Sequence, residues 1–278
     1  MLSLAKHEKR RTSNEDGNMA VLSEEQTMIR DGAKSWVQEK SPVTAFRKLR
    51  DSGNADGFDR NAWKEMAEMG WAGILIPEEF GGTGLGYLTL GLVLEETGRT
   101  LTASPLVSTA LTATTALLIG GNDAQKKKYL PQIAEGKLIA TLAVDEGPHH
   151  APEKIALKVE KSGSGYKLNG KKSFVLDGGV ADLIIVAART SGKPGEKGGI
   201  TLFLVDGKAN GLSREKLKTV DSRGVANITF NNVEVGADAI LGSADQGDGV
   251  LESTLDRARA GLAAEMPGHA MQSFDVTL

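Results

Sequence analysis

The spacing of apolar residues changes period near Lys137, and that change restricts the chain to a two-part architecture. Upstream, the period is helical. Ile29, Ala33, Trp36 and Val37 share one helix face behind Ser23-Glu-Glu-Gln26, a capping-box pattern that satisfies two orphan amides at once. Trp63, Met66, Ala67 and Gly70 repeat the pattern behind Asp59, with Gly70 as the stop. Leu88, Leu90, Leu92 and Leu94 mark a third helix. Asn122 caps a fourth, with Gln125 at its third position and Tyr129, Leu130 and Ile133 on one face. Long glycine-bearing loops are expected between them.

From about Lys137 to Ala244 the pattern belongs to strands. Ile155, Leu157 and Val159 alternate with polar or small residues, as in a half-buried strand. Tyr166–Leu168 and Lys172–Leu176 flank Asn169-Gly170, a hairpin signal because both turn positions favour positive φ. Leu183–Val186 is a continuous apolar strand, Ile200–Val205 another, and Asn227–Phe230 and Val233–Val235 enclose Asn231-Asn232. Short strands between turn signals predict a barrel or sandwich. Beyond Val250 a helical period returns to Met266, with Leu251, Leu255, Ala258 and Leu262 on one face, expected to be exposed and to drive association. Pro267-Gly268 is expected to interrupt it, since an interior proline costs roughly 3 kcal/mol.

Composition removes several classes of function. Lysine plus arginine total 33 against 36 acidic residues, a net charge of −3 that offers no general attraction to nucleic acid. The absence of cysteine excludes disulfides, thiolate catalysis and cysteine-bound metal. The uncharged run Thr100–Asn122 contains Pro105 and many hydroxyl residues, so it reads as a buried helix rather than a membrane span. Lys6, Lys9, Arg10 and Arg11 precede no apolar core, which argues against a signal peptide and for a cytoplasmic protein with a frayed tail over residues 1–18; a start at Met19 would suit the fold better.

Few motifs carry chemistry by themselves. Gly82-Thr-Gly84-Leu-Gly86 suggests a dinucleotide loop, but Tyr87 occupies the sixth position and no βαβ unit surrounds it; a bend after a strand-like Ile74–Ile76 fits better. Adjacent His149 and His150 have poor metal-ligand spacing, even with Asp145 and Glu146 nearby, so no metal is expected. Residue spacing alone stops at a protein with one helical and one β part.

A resemblance extends this reading. Met69-Gly-Trp-Ala-Gly-Ile-Leu-Ile-Pro-Glu-Glu-Phe-Gly-Gly-Thr-Gly-Leu-Gly86 resembles the amino-terminal signature of acyl-CoA dehydrogenases, and Leu94-Glu-Glu-Thr-Gly-Arg99 follows at the family's distance. Gly121–Gly136 is similar to its helix leading into the β domain. Tyr166–Lys172, Ala187–Thr190, Arg223-Gly224, Phe230–Val233 and Leu241-Gly242 match later strands. The resemblance implies an α+β multidomain chain: a helical amino-terminal domain over 19–138, a β-barrel middle domain over 139–246, and over 247–278 the first helix of an incomplete carboxy-terminal four-helix domain. It also implies FAD as cofactor and α,β-dehydrogenation of an acyl-CoA thioester in fatty-acid metabolism, with a carboxylate taking the α-proton as hydride passes to flavin N5. Hydrogen bonds to the thioester oxygen would stabilise the developing enolate. An electron-transfer flavoprotein is the implied acceptor; an oxidase or flavin monooxygenase of the same fold is the alternative. A homo-oligomer, or a hetero-oligomer with a paralogue, is implied.

Site residues follow position by position. Val144 and Asp145 fall where the family strand carries a hydroxyl residue against the flavin edge; Asp145 is either that contact or a solvated loop acid. Gly147–His150 replaces a loop that meets pyrophosphate or CoA, so that His149 or His150 either contacts phosphate or is an exposed loop histidine, His150 being the substrate-side candidate. Phe174, Val175 and Leu176 replace tryptophan, an aliphatic residue and a hydroxyl residue: Phe174 either stacks on the isoalloxazine or fills the barrel, and at Leu176 only backbone amides could bond the flavin. Similar erosion occurs in the small subunits of two-subunit members of the pimeloyl-CoA type. Asp256 and Arg259 fall where the first carboxy-terminal helix faces the thioester, Arg259 being either a substrate contact or a solvated arginine.

On this alignment the family's late catalytic glutamate, and the basic aromatic segment toward the flavin pyrophosphate, fall past Leu278. No residue here is assigned as the base, and the chain is expected to be truncated. Two other readings stand beside the enzyme: a non-catalytic subunit that scaffolds an active paralogue, and a broken reading frame whose product does not fold stably.

Overall fold

The computed structural model describes residues 21–221 and 223–278. The expected tail over 1–18 and the start at Met19 lie outside them.

The helices come first. α1 (Glu24–Lys40) begins at the Ser23 capping box, with the Ser23 and Gln26 side chains bonding reciprocally, and buries Ala33, Trp36 and Val37. α2 (Val43–Asp51) follows Pro42 and buries no residue fully, which is why no apolar period announces it. α3 (Arg60–Glu68) is capped by Asp59 and buries Trp63, Met66 and Ala67; Gly70 follows at φ 81°. Ile74–Ile76 is not strand-like as expected: it is a buried turn after a short 3-10 helix, with its carbonyls bonded by the amides of Gly84, Leu85 and Gly86. α4 (Gly86–Arg99) buries Leu90, Val93 and Leu94, while Leu88 of the expected leucine set is exposed. Leu106–Ala113 is a buried π-helix continued by α5 (Thr114–Gly120), confirming a buried helix in the uncharged run. α6 (Asp123–Ala134) starts at the Asn122–Gln125 capping box and buries Leu130 and Ile133.

Eight strands follow: β1 (Ala140–Ala143), β2 (Lys158–Ser162), β3 (Gly165–Val175), β4 (Leu183–Arg189), β5 (Ile200–Asp206), β6 (Leu212–Lys216), β7 (Ala226–Gly236) and β8 (Ile240–Leu241). They form one curled sheet in the order β6-β7-β3-β2-β4-β5-β8, with β1 paired parallel to β4. It is barrel-like but open, because polar β6 and two-residue β8 are left as edges. β4 reads as an unbroken apolar run because both faces are covered. Leu183, Ile185 and Ala187 pack on the helices, while Ile184, Val186 and Ala188 fill the sheet's interior with Phe203 and Phe230.

The expected Asn169-Gly170 hairpin is not formed. β3 runs straight through, with a register shift between Leu168 and Gly170, and the hairpin lies instead at Ser162–Gly165. The other turn-like pair, Asn231-Asn232, is likewise inside a strand, β7, with Asn232 at φ 52°. The irregularities face each other: Asn232 N donates to Asn169 Oδ1 at 2.8 Å. Positive-φ residues that signal a two-residue turn locally serve equally well as β-bulges.

α7 (Asp248–Asp275) passes through Pro267, against expectation. Pro267 and Ala263, whose carbonyl loses its amide partner, both lie on the exposed face, where water can take the bond. The buried face carries Leu251, Thr254, Gly261, Glu265 and Gly268, the last three against α4, whereas Leu262 of the expected apolar face is 43% exposed. Three of its four apolar members are therefore at least partly packed, and association through that face rests on Leu262 alone. No helix among the described residues is long and apolar enough to cross a membrane.

Candidate flavin-edge site

The site grows from the junction of β1 and β3. The π-helix holds β1 in place: Thr109 Oγ1 donates to Ala140 O at 2.8 Å and accepts from Ala140 N at 3.0 Å. Past the end of β1 the chain turns through Val144, Asp145 and Glu146. Lys172 of β3 lies beneath that turn with no solvent exposure. Its Nζ donates to Val144 O at 2.7 Å and to Glu146 Oε1 at 2.6 Å. Glu146 also accepts from Ala156 N and Leu157 N, at 3.0 and 2.9 Å. One ammonium thereby pins the turn, and one carboxylate pins the segment leading into β2. Burial pulls the Lys172 ammonium down to about 8, with Glu146 opposing the shift.

Asp145 organises the loop above. Its Oδ1 accepts from Ala151 N at 2.9 Å, its Oδ2 lies 2.9 Å from His150 Nδ1, and its carbonyl accepts from Ser173 N at 2.7 Å. The last bond brings the loop against β3 beside Phe174.

Phe174 sits at a second register shift, between Lys172 and Val175, with φ 53°. A non-glycine residue rarely adopts that conformation. The bulge reverses the inward–outward phase: Val175 enters the sheet core and the Phe174 ring stands 57% exposed. The barrel-core alternative for Phe174 is thus overturned. Leu176 packs on the helical core and its carbonyl accepts from Thr141 Oγ1 at 2.6 Å. Asp177 follows, also at φ 53°, buried and bonded by Ser108 of the π-helix. Burial pushes the Asp177 carboxyl up to about 6, against the pull of Ser108 and Arg223.

The segments Val144–His150 and Phe174–Leu176 therefore meet at one edge, where Asp145, His150 and Phe174 reach the surface while the side chains of Val144, Val175 and Leu176 pack inward, so that only their backbone could meet a ligand. Asp256 and Arg259 do not join it: they pair with each other at 2.7 Å on the exposed side of α7. Two neighbours that help build the edge, Lys172 and Asp177, are not among the site candidates that the sequence offers, Lys172 being read there only as part of a strand. Simple alternation puts Lys172 on the same side as Phe174, and only the bulge separates them.

Comparisons with known proteins place the chain in a family. Residues 23–137 match the family model "Acyl-CoA dehydrogenase, N-terminal domain", and residues 149–233 the model "Acyl-CoA dehydrogenase, middle domain". The chain is 36% identical over 269 residues to the mitochondrial isovaleryl-CoA dehydrogenase of Pongo abelii, covering 92% of this chain and 62% of that protein. It is also 36% identical to the cyclohex-1-ene-1-carbonyl-CoA dehydrogenase of Geobacter metallireducens, covering 94% of this chain and 69% of that one. A crystal structure of an acyl-CoA dehydrogenase from Geobacillus kaustophilus superposes with a TM-score of 0.84 at 28% identity, over 94% of this chain and 69% of the other. The two matched domains and these relatives define the class, and the chain belongs to the acyl-CoA dehydrogenase family. It spans 62% to 69% of the length of these relatives.

Proposed function

We propose that the protein binds FAD along the edge made by Val144–His150 and Phe174–Leu176, and that it serves the α,β-dehydrogenation of an acyl-CoA thioester. The observation that carries this reading is the exposed Phe174 ring, held out by a strained bulge beside a turn pinned from below by Lys172. An exposed ring on a positive-φ residue costs stability, and such strain gathers at ligand sites. The edge fits a flavin: Phe174 offers an aromatic face, and Asp145 an acceptor fixed by Ala151 N and His150. FAD, when bound, supplies the hydride acceptor.

The chain's own residues would divide the work. Phe174 stacks, Val175 anchors the bulge in the core, and Val144 and Leu176 hold the backbone on either side. Asp145 accepts a hydrogen bond. His150, with Nδ1 committed to Asp145, has Nε2 for a phosphate oxygen of the acyl-CoA. Asp256 and Arg259 are the acyl-CoA candidates of α7. No residue is assigned as the base. The proposed division is a helical domain over 19–138, the sheet domain over 139–246 and a third unit from 247. An electron-transfer flavoprotein is the proposed acceptor, with a homo- or hetero-oligomer as the assembly.

The test is a titration of the purified protein with FAD, followed by flavin fluorescence, then anaerobic addition of isovaleryl-CoA and butyryl-CoA. Saturable quenching followed by bleaching of the visible flavin band supports the proposal. FAD that stays free in solution refutes the binding site, and bound flavin that no acyl-CoA bleaches refutes the reaction.

A further inference from the structure

A cavity of about 620 Å³ is lined by none of the edge residues Val144–His150 and Phe174–Leu176. It is bounded by Phe46 and Arg50 of α2, by Leu101 and Ala103 after α4, by Thr219, Val220, Asp221 and Arg223 ahead of β7, and by His269 of α7. Three independent observations single it out. Thr219 Oγ1 and His269 Nε2 are both buried atoms with no hydrogen-bond partner among the described residues, and both line this cavity. Buried polar atoms are seldom left unpaired, and each costs about 1–3 kcal/mol when they are. Leu101 at its wall holds φ 58°, a left-handed conformation costly for a leucine. The rest of the lining is largely apolar: Phe46, Leu101, Ala103 and Val220.

Charge decides which ligand fits. The two guanidiniums suggest an anion site at first, but both are already neutralised. Arg50 pairs with Asp51 at 2.8 Å, and Arg223 pairs with Glu265. Asp221 adds a further carboxylate to the lining. Three acids against two arginines leave no positive surplus to repay an anion's desolvation. The unpaired atoms need a partner able both to donate and to accept, because the imidazole Nε2 is one or the other according to tautomer. A hydroxyl satisfies either case. We propose that this cavity binds an uncharged, mostly apolar small molecule carrying a hydroxyl group.

The test uses the whole protein at pH 8 and three probes of similar shape: benzyl alcohol, toluene and benzoate. Binding is followed on the His269 ring proton by NMR, assigned through its loss in His269→Phe. Benzyl alcohol is expected to shift that resonance saturably and to bind about 2- to 12-fold tighter than toluene, the span of one net hydrogen bond of about 0.5–1.5 kcal/mol. Benzoate is expected to bind weakest. Thr219→Val, which keeps the side-chain shape, should weaken benzyl alcohol toward the toluene level, with His269 Nε2 still available to the hydroxyl, and leave toluene unchanged; unchanged benzyl alcohol affinity in this variant overturns the role of Thr219. Equal binding of benzyl alcohol and toluene overturns the proposal, as does a preference for benzoate. A cavity that holds only water gives no saturable shift with any probe, and that result overturns it too.

Discussion

Lys172 Nζ and Glu146 Oε1 stand 2.6 Å apart, with the lysine wholly out of solvent and the same ammonium also holding the Val144 carbonyl. Truncating either partner leaves the other without its counter-charge in a largely buried place. Lys172→Met should destabilise the protein by about 3 kcal/mol in urea unfolding, since breaking a buried pair typically costs about 3–5 kcal/mol and Glu146 keeps some access to water. The double variant Lys172→Met/Glu146→Gln should lose less than the sum of the singles. Strict additivity would show that the contact does no pinning.

The same lysine predicts a pH dependence at the alkaline end. Its folded value, about 8, lies below the ordinary 10.5. Between those values the unfolded chain binds more protons than the folded one, so stability rises with pH across that window. The rise should be present in the wild type and missing from Lys172→Met when the two unfolding profiles are subtracted.

Asp177 acts in the opposite sense, at acid pH. Its folded carboxyl sits at about 6 rather than 3.8, so the folded state is the tighter proton binder between those values. Its contribution to stability is largest below pH 3.8 and is lost as pH rises through 6. Asp177→Asn should remove that slope and, above pH 6, unfold later than the wild type by on the order of 2 kcal/mol. A variant less stable than the wild type at pH 8 would mean that the attraction to Arg223 outweighs desolvation.

Phe174 separates stability from binding. Its ring is exposed, so Phe174→Ala should change the melting free energy by no more than about 0.5 kcal/mol. Phe174→Gly relieves the φ of 53° and should be more stable than Phe174→Ala by about 1 kcal/mol. Both should weaken FAD binding about 2- to 12-fold, the worth of one aromatic stack at about 0.5–1.5 kcal/mol. Unchanged FAD affinity in both variants would remove Phe174 from the proposed site.

Gly268 tests the packing of α7 on α4. A Cβ there would collide with Glu95 O and Arg99 N, both rigid backbone atoms. Gly268→Ala should destabilise by about 1–3 kcal/mol despite its better helix propensity. Gly32→Ala, where a Cβ meets nothing within 4 Å, should instead be neutral or stabilising.

The sequence by itself determined the elements whose signals are local. Capping boxes at Ser23 and Asn122, the Asp59 cap, the 3.6-residue period upstream and the apolar run of β4 depend on neighbours a few residues away, and all reappear in the fold. The family motifs likewise placed the Val144–His150 and Phe174–Leu176 segments together. Tertiary structure alone decided the rest. Asn169-Gly170 is a bulge because β7 offers a matching irregularity at Asn231-Asn232, 63 residues from the first asparagine to the second partner. Phe174 faces out and Val175 in because a register shift against β7 reverses the phase that alternation assigns. Pro267 stays inside α7 because the Ala263 carbonyl it leaves free lies on the exposed face while Gly268 packs on α4. In each case two conformations are close in local energy, and contacts from a distant segment choose between them.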